Sequence, residues 1–515
     1  MYFRNIALVL TCLIIISCAS NPVTGKKELN LVSETQEVEI GTENYIPTQQ
    51  IQGGTLITDP ALNKYVQTIG KKLAAVSDRP KLPYEFVVLN NSTPNAWALP
   101  GGKIAINRGL LVELDNEAEL ASVLGHEIVH AAARHGAKSM ERGLLLDLSV
   151  AAVGVATGAD KNSALIVGAA GFGSQLISKK YGRDAELESD LYGMKYMSKA
   201  GYNPIAAVTL QEKFVRLSQE KKSNWINGLF ASHPPSQERV QINKQTALAL
   251  GSKGKLNTEN YKNNIAYLIR TKPGYDAYDQ GREALAKDAA KTALKLAEKA
   301  IAIEPQESIF HTLKGDALMR QNAFSAAESS YTSAINFNSK YFLHYLQRGL
   351  LREKLKNDSA AKKDLMQSIK LLPTENAHYS LGNIALRQGN TQLAKAHFAK
   401  ASNNNSNLGK KATKAFVKLD MPDNPNKYLN MQFQLDKYNK LLINIENSTP
   451  VTIKDLSFIV SVKLNGNHSN REKLTLNQTI KPGDKQIFAT QITTIPGKTT
   501  LKDVTVSIVE LKVLD

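Results

Sequence analysis

The sequence predicts an α+β, multidomain chain: a mostly helical amino-terminal region with a small sheet, an α-solenoid in the middle, and a small antiparallel β-sandwich at the carboxy end. Three observations carry this expectation. Glycines recur at a near-constant interval through the middle of the chain, apolar residues alternate with period two after it, and short strands and Gly-rich turns are mixed with helical spacing before it. At 515 residues, 42% hydrophobic and 22% charged, the chain has material for about three domains. That composition excludes a mainly disordered, collagen-like or polytopic membrane protein. The formal charge of +17 raises nucleic acid or an anionic membrane surface as partners. No nucleic-acid module accompanies that charge, so no nucleic acid is expected.

Residues 1–18 read MYFRNIALVLTCLIIISC, one basic residue (Arg4) followed by an apolar run from Ile6 to Ile16. The run is short for a membrane span and suits a secretory signal. It ends Ile15-Ile16-Ser17-Cys18, which resembles the bacterial lipobox. The resemblance implies removal of residues 1–17, acylation of Cys18 and a membrane anchor. Ala19 stands where aspartate is the usual inner-membrane retention signal, which favours the outer membrane. The two cysteines, Cys12 and Cys18, both lie in this segment, so a disulfide-built scaffold is excluded.

The chemistry concentrates in His126-Glu127-Ile128-Val129-His130. Four residues is about one helical turn, so both imidazoles leave one face and can share a metal, while Glu127 can reach a water on it. Chance predicts roughly 0.01 such matches in a chain of this composition. Asn116 and Glu119 offer a cap for the helix. A third histidine on the same segment would need to follow the metzincin pattern, but those positions are Ala133 and Gly136. His135, about half a turn from His126, is expected to face elsewhere. Downstream, Glu186 and Asp190 are four apart on another helical stretch. That spacing suits a carboxylate ligand and an acceptor that orients a ligand histidine. Glu188 is rotated about 200° from Glu186 and is the weaker candidate. Leu144–Phe172 reads as a mobile helical or loop element beside the active site.

Gly281, Gly315, Gly349 and Gly382 are spaced 34, 34 and 33 residues. Twelve residues after each stands Ala293, Ala327, Ala361 or Ala394, and nineteen after each stands Ala300, Ala334, Ser368 or Ala401. The pattern resembles the tetratricopeptide repeat, in which small residues let paired helices approach closely. Such an array, expected over 274–420, binds peptides or protein surfaces. About half of the excess positive charge falls on it. Beyond it, Leu441/Ile443/Ile445 and Leu456/Phe458/Val460/Val462/Leu464 alternate with polar residues, and turns such as Pro482-Gly483-Asp484 separate the runs. Six or seven strands over 427–515 suggest an immunoglobulin-like sandwich with an adhesive or architectural role.

Four further segments join the metal motif: Asn21–Gly25 (NPVTG) with Leu29–Ser33, Asn95–Gly102, the run Tyr181–Pro204, and Ser232–Ser236 (SHPPS) with Arg239. Together they resemble the CAAX-prenyl-protease-type (Ste24/Oma-like) zinc metallopeptidases, in the bacterial envelope BepA/LoiP-like branch, over roughly residues 20–245. The resemblance implies a mostly helical zincin (gluzincin) domain over 18–265. It implies one zinc per chain held by His126, His130 and Glu186, with Glu127 as general base and Asp190 orienting a ligand histidine. His233 would approach the metal as a switch or stabilise the oxyanion, and Arg239 would anchor its loop. Asn95, Ala96, Trp97, Ala98 and Leu99 would form an exposed edge strand that pairs with substrate backbone. The function so implied is a lipid-anchored periplasmic endopeptidase that removes misfolded or misassembled envelope and outer-membrane proteins recruited by the repeats. The alternative is a chaperone or scaffold for outer-membrane protein assembly with weak or latent protease activity.

Overall fold

The computed structural model describes residues 18–142, 177, 180–220, 228–402, 406–464, 468–493 and 504–514. The signal segment 1–17 and the element expected at Leu144–Phe172 lie outside the described residues. The chain divides into two compact units, Met1–Leu351 with Lys370–Leu372, and Arg352–Ile369 with Pro373–Asp515.

The first unit opens with a small hairpin, β1 (Cys18–Ser20) antiparallel to β2 (Lys27–Leu29). Asn21 shapes its turn, its Oδ1 accepting from the amides of Val23 (2.8 Å) and Thr24 (3.2 Å). Gly25 follows at φ +73°, a conformation that side-chain-bearing residues avoid. Helix α1 (Glu34–Ile51) starts at a capping box between Ser33 and Gln36. Helix α2 (Pro60–Ala74) has Asp59 as its cap and Pro60 at its first position. Its Leu62, Val66, Ile69 and Leu73 recur on one face, and all four are buried. A three-stranded sheet follows in the order β3 (Glu85–Leu89), β5 (Lys103–Asn107), β4 (Ala96–Leu99). β3 runs parallel to β5, and β4 runs antiparallel to it as an edge.

Against this sheet packs α3 (Glu117–Ala132); α4 (Arg183–Lys199) packs on α3, and α5 (Ile205–Gln219) and α6 (Gln237–Leu250) follow. The expected cap of α3 is present: Asn116 Oδ1 accepts from the Glu119 amide at 3.0 Å. α3 and α4 meet at two glycines. A Cβ on Gly193 would stand 3.0 Å from the His126 amide nitrogen and 3.1 Å from the Gly125 carbonyl carbon.

Helix α7 (Thr258–Ala286) runs unbroken through Pro273, so the boundary expected between 265 and 274 falls inside one element. With α8 (Ala290–Ile303), α9 (Ser308–Arg320) and α10 (Phe324–Phe337) it forms the first helical pairs of the repeat. Tyr275, Phe310 and Tyr341 belong to the same hydrophobic core as Phe86, Ile106 and Leu124. Helices α11 (Phe342–Lys354), α12 (Asp358–Leu371), α13 (Glu375–Arg387), α14 (Thr391–Ala401) and α15 (Asn407–Asp420) continue the array. All eight small residues picked out by the repeat are buried. Gly281, Gly315 and Gly382 face leucine or rings at close range: a Cβ on Gly281 would meet Leu313 at 2.5 Å, one on Gly315 Tyr331 at 2.4 Å, and one on Gly382 Phe398 at 2.6 Å.

In the second unit, six described strands form two antiparallel three-stranded sheets. One is ordered β10 (Lys485–Thr493), β7 (Lys440–Asn447), β6 (Leu429–Leu435). The other is ordered β11 (Val504–Leu514), β8 (Thr452–Leu464), β9 (His468–Leu476). Leu441, Ile443 and Ile445 share one core with Leu456, Phe458, Val460 and Val462, as the period-two pattern requires. No described helix is long and apolar enough to cross a membrane.

Candidate metal centre

His126 and His130 leave the same face of α3, and α4 brings Glu186 up to them. His233, at the end of a short helix Leu229–Ser232, completes a group whose donor atoms all lie within 4.8 Å of one another. His126 Nε2 is 3.0 Å from His130 Nε2 and 3.3 Å from His233 Nδ1. Glu186 Oε1 is 3.0 Å from His233 Nδ1 and 3.4 Å from His130 Nε2. Metal bonds of about 2.0–2.1 Å in a tetrahedron give edges of about 3.3–3.4 Å. Four of the six donor pairs thus stand at or near the spacing such an ion demands, and the donor types fit the metal.

The surroundings hold these side chains in place. Asp190, one turn after Glu186, accepts from His126 Nδ1 at 2.9 Å. Arg239 on α6 donates from Nε and Nη2 to the two Asp190 oxygens at 2.7 Å each, and its Nη1 lies 2.8 Å from Glu186 Oε2. Burial raises the Asp190 carboxyl, but Arg239 outweighs it and holds the group at about 2. Glu186 is also held well below the usual range, burial being outweighed by His233 and His126. Arg239 further donates to the Pro234 carbonyl at 3.1 Å, which pins the turn that carries His233. The Leu229 amide donates to the Pro94 carbonyl at 2.9 Å, tying the same turn to the approach of β4.

Glu127 is buried, 3.5 Å from His233 Nε2 through Oε1, and its Oε2 has no partner among the described residues. Burial raises its pKa against the pull of His233 and His126. Beside it opens a cavity of about 40 Å³ lined by Val123, Ala207, Leu210, Phe214 and Leu229.

Two expectations are corrected. β4 is the sheet edge, but Ala96, Trp97, Ala98 and Leu99 are buried rather than exposed, and Ile177 packs in one cluster with Trp97 and Leu99. His135 does not face away: its Nδ1 is 2.9 Å from His130 Nδ1. The helix does not continue to His135: α3 ends at Ala132 and Arg134 adopts φ +64°, which resets the direction of the chain. Glu188 stands outside the donor group and pairs with His135, Oε1 to Nε2, at 3.4 Å. Sequence reasoning also missed Tyr181, whose ring stacks on His130 with centroids 3.9 Å apart. Its signal was its place at the head of the segment Tyr181–Pro204 that carries Glu186.

Residues 60–247 match the model described as Peptidase family M48. A putative beta-barrel assembly-enhancing protease of Vibrio cholerae serotype O1 is 30% identical over 207 residues, covering 37% of this chain and 40% of that one. The beta-barrel assembly-enhancing protease of Escherichia coli K12 is 28% identical over 282 residues, covering 52% and 54%. The mitochondrial metalloendopeptidase OMA1 of Schizosaccharomyces pombe is 29% identical over 223 residues, covering 43% and 64%. The matched stretches span about half the length of these curated relatives.

Proposed function

With residues 60–247 forming an M48 metallopeptidase domain, we propose that the chain is a zinc endopeptidase of the bacterial envelope. It is held to the membrane, the outer membrane by the residue after the cysteine, through lipid on Cys18, and it cuts misfolded or misassembled envelope proteins. The observation that carries this reading is the convergence of His126, His130, Glu186 and His233 beside Glu127. Three imidazole nitrogens and a carboxylate oxygen suit zinc better than calcium or magnesium, which take oxygen donors. A glutamate as the third ligand is the gluzincin arrangement.

Bound there, zinc would acidify a water and polarise the scissile carbonyl. Glu127 takes the proton from the attacking water and passes it to the leaving amine; burial, which raises its proton affinity, favours the uptake. His233 would supply a fourth donor to the metal and would have to withdraw for a water to take that place. Asp190 and Arg239 keep His126 and Glu186 in place meanwhile. The cavity at Val123, Leu210 and Phe214 receives a substrate side chain beside the scissile bond. Substrate backbone pairs with Asn95–Leu99 once the cover over β4 is lifted. The repeats hold clients, and the two C-terminal sheets, read as an immunoglobulin-like sandwich, serve architecture. The relatives named as beta-barrel assembly-enhancing proteases point to clients among assembling outer-membrane proteins.

Glu127→Gln is expected to keep zinc and to lower hydrolysis of an unfolded protein by about 10²–10⁴-fold. Cleavage at the wild-type rate would remove Glu127 from its role. A second reading, a scaffold with latent activity, draws on the covered β4 and on His233 standing among the donors. Clients captured by full-length Glu127→Gln but never cut by the wild type would favour it.

A further inference from the structure

The turn Asn21–Gly25 lies far from the metal motif in sequence, yet Asn21 is buried at 3% exposure and its side chain is used completely. Its oxygen shapes the turn, as above. Its Nδ2 donates to Glu188 Oε1 at 3.2 Å and to Glu28 Oε1 at 3.3 Å. Glu188 Oε1 also accepts from His135 Nε2 at 3.4 Å. With the proton on Nε2, His135 presents a lone pair at Nδ1, 2.9 Å from His130 Nδ1, which donates to it. That assigns the His130 proton to Nδ1 and leaves the Nε2 lone pair facing His126 Nε2 and Glu186 Oε1. One polar chain thus runs from the amino-terminal turn to a metal donor.

The same segment is clasped along its length by the residues that follow α3. Arg134 donates to Asn30 Oδ1 and to the Val32 carbonyl, and its Nε donates to Glu37 Oε2 at 3.0 Å. Lys138 pairs with Glu28 at 2.5 Å. Glu141 Oε1 accepts from the amides of Leu31 and Val32 at 3.0 Å each. The clasp fixes Asn21 where its amide can support Glu188.

We propose that the Asn21 turn is a positioning element of the metal centre, acting through Glu188 and His135 on the imidazole of His130. This rests on the reading of His126, His130 and Glu186 as metal ligands. If Cys18 carries lipid, the anchored end of the chain leads within three residues to a support of the metal.

Reciprocity supplies a test on the wild-type protein. If the turn sets metal affinity, metal binding must stabilise the turn to the same degree. Hydrogen exchange at the Val23 and Thr24 amides is expected to slow several-fold when zinc is added, with zinc content measured on the same sample. Zinc uptake with unchanged exchange at both amides overturns the inference; absence of zinc uptake overturns the metalloenzyme reading and this inference with it. Two variants probe the chain from either end. Asn21→Asp keeps the oxygen that shapes the turn and replaces the donor facing Glu188, and Glu188→Gln removes the charge that His135 donates to. Each is expected to weaken zinc about tenfold in chelator competition and to alter the visible spectrum of the cobalt-substituted protein. Wild-type affinity and spectrum in both variants would refute the role.

Discussion

The carboxylate of Asp190 carries two tasks: it accepts from His126 Nδ1 and it satisfies the buried Arg239 fork. Asp190→Ala leaves His126 free to turn and leaves Arg239 with Glu186 as its remaining carboxylate. Metal affinity is expected to drop about 10–100-fold, read by competition with a chelator, while the fold persists. His126 and His130 were legible in the sequence because a spacing of four on a helix puts both side chains on one face, and Glu186 because it stands four before Asp190; His233 came from the family resemblance alone. His135 was not legible. In an unbroken helix it points away from His126, and only the left-handed backbone at Arg134 turns it back to His130. Nothing in an arginine codon announces that conformation, which Asn or Gly would have signalled.

At the scale of elements, the distance between α3 and α4 decides whether the donors meet. Gly125 and Gly193 let the two backbones touch. Gly193→Ala places a methyl 3.0 Å from the His126 amide nitrogen, where backbone cannot yield as a side-chain tip would. The expected cost is about 1–3 kcal/mol in thermal or denaturant unfolding. Cleavage should fall more than stability suggests, because α4 carries Glu186 and Asp190 away from the histidines. The repeat helices carry a pH response of their own. His344 on α11 is fully buried, its Nδ1 2.7 Å from Thr312 Oγ1 and its Nε2 without a partner among the described residues. Burial, with a smaller contribution from His311, lowers its pKa from 6.5 to about 3. The unfolded chain therefore takes up the proton first. Stability is full above the unfolded value and declines as pH falls from there toward the folded value, by up to roughly 5 kcal/mol. Circular dichroism against pH should show this decline in the wild type and a flatter profile in His344→Gln. The repeat was readable because its small residues must recur for helices to nest. The six strands were readable because burial on one face forces alternation. The covering of β4 was not, since it depends on which distant residue, here Ile177, arrives over Trp97 and Leu99.

For the molecule as a whole, the first compact unit runs from the region of the metal motif through the first helices of the repeat. α7 crosses the expected boundary, and both sides use the same apolar residue types, so the sequence carries no mark of the join. Arg108, which follows β5, stacks on Tyr275 at 3.6 Å. Asn90 after β3 donates to Glu307 at 3.0 Å, and Gln50 of α1 bonds the backbone at Lys340 and Phe342. A chain ending at 265 would lose Tyr275, Phe310 and Tyr341 from the core, and large aromatics cost about 3–5 kcal/mol each when removed. It is expected to melt far below the full chain or to aggregate. A chain ending at 351 should keep the melting transition of the first unit, followed by calorimetry with and without zinc.

The span of chain between partners at the metal centre sets when activity can begin. His126 and His233 are 107 residues apart, and Asn21 and Glu188 are 167 apart. Contacts of such separation close late, after local helices have formed. A nascent chain emerging amino terminus first holds the His126–Glu127–His130 helix long before it holds a complete donor set. The full donor set therefore comes together only when the domain around it is finished, and a partial chain cannot hold a metal through all four groups.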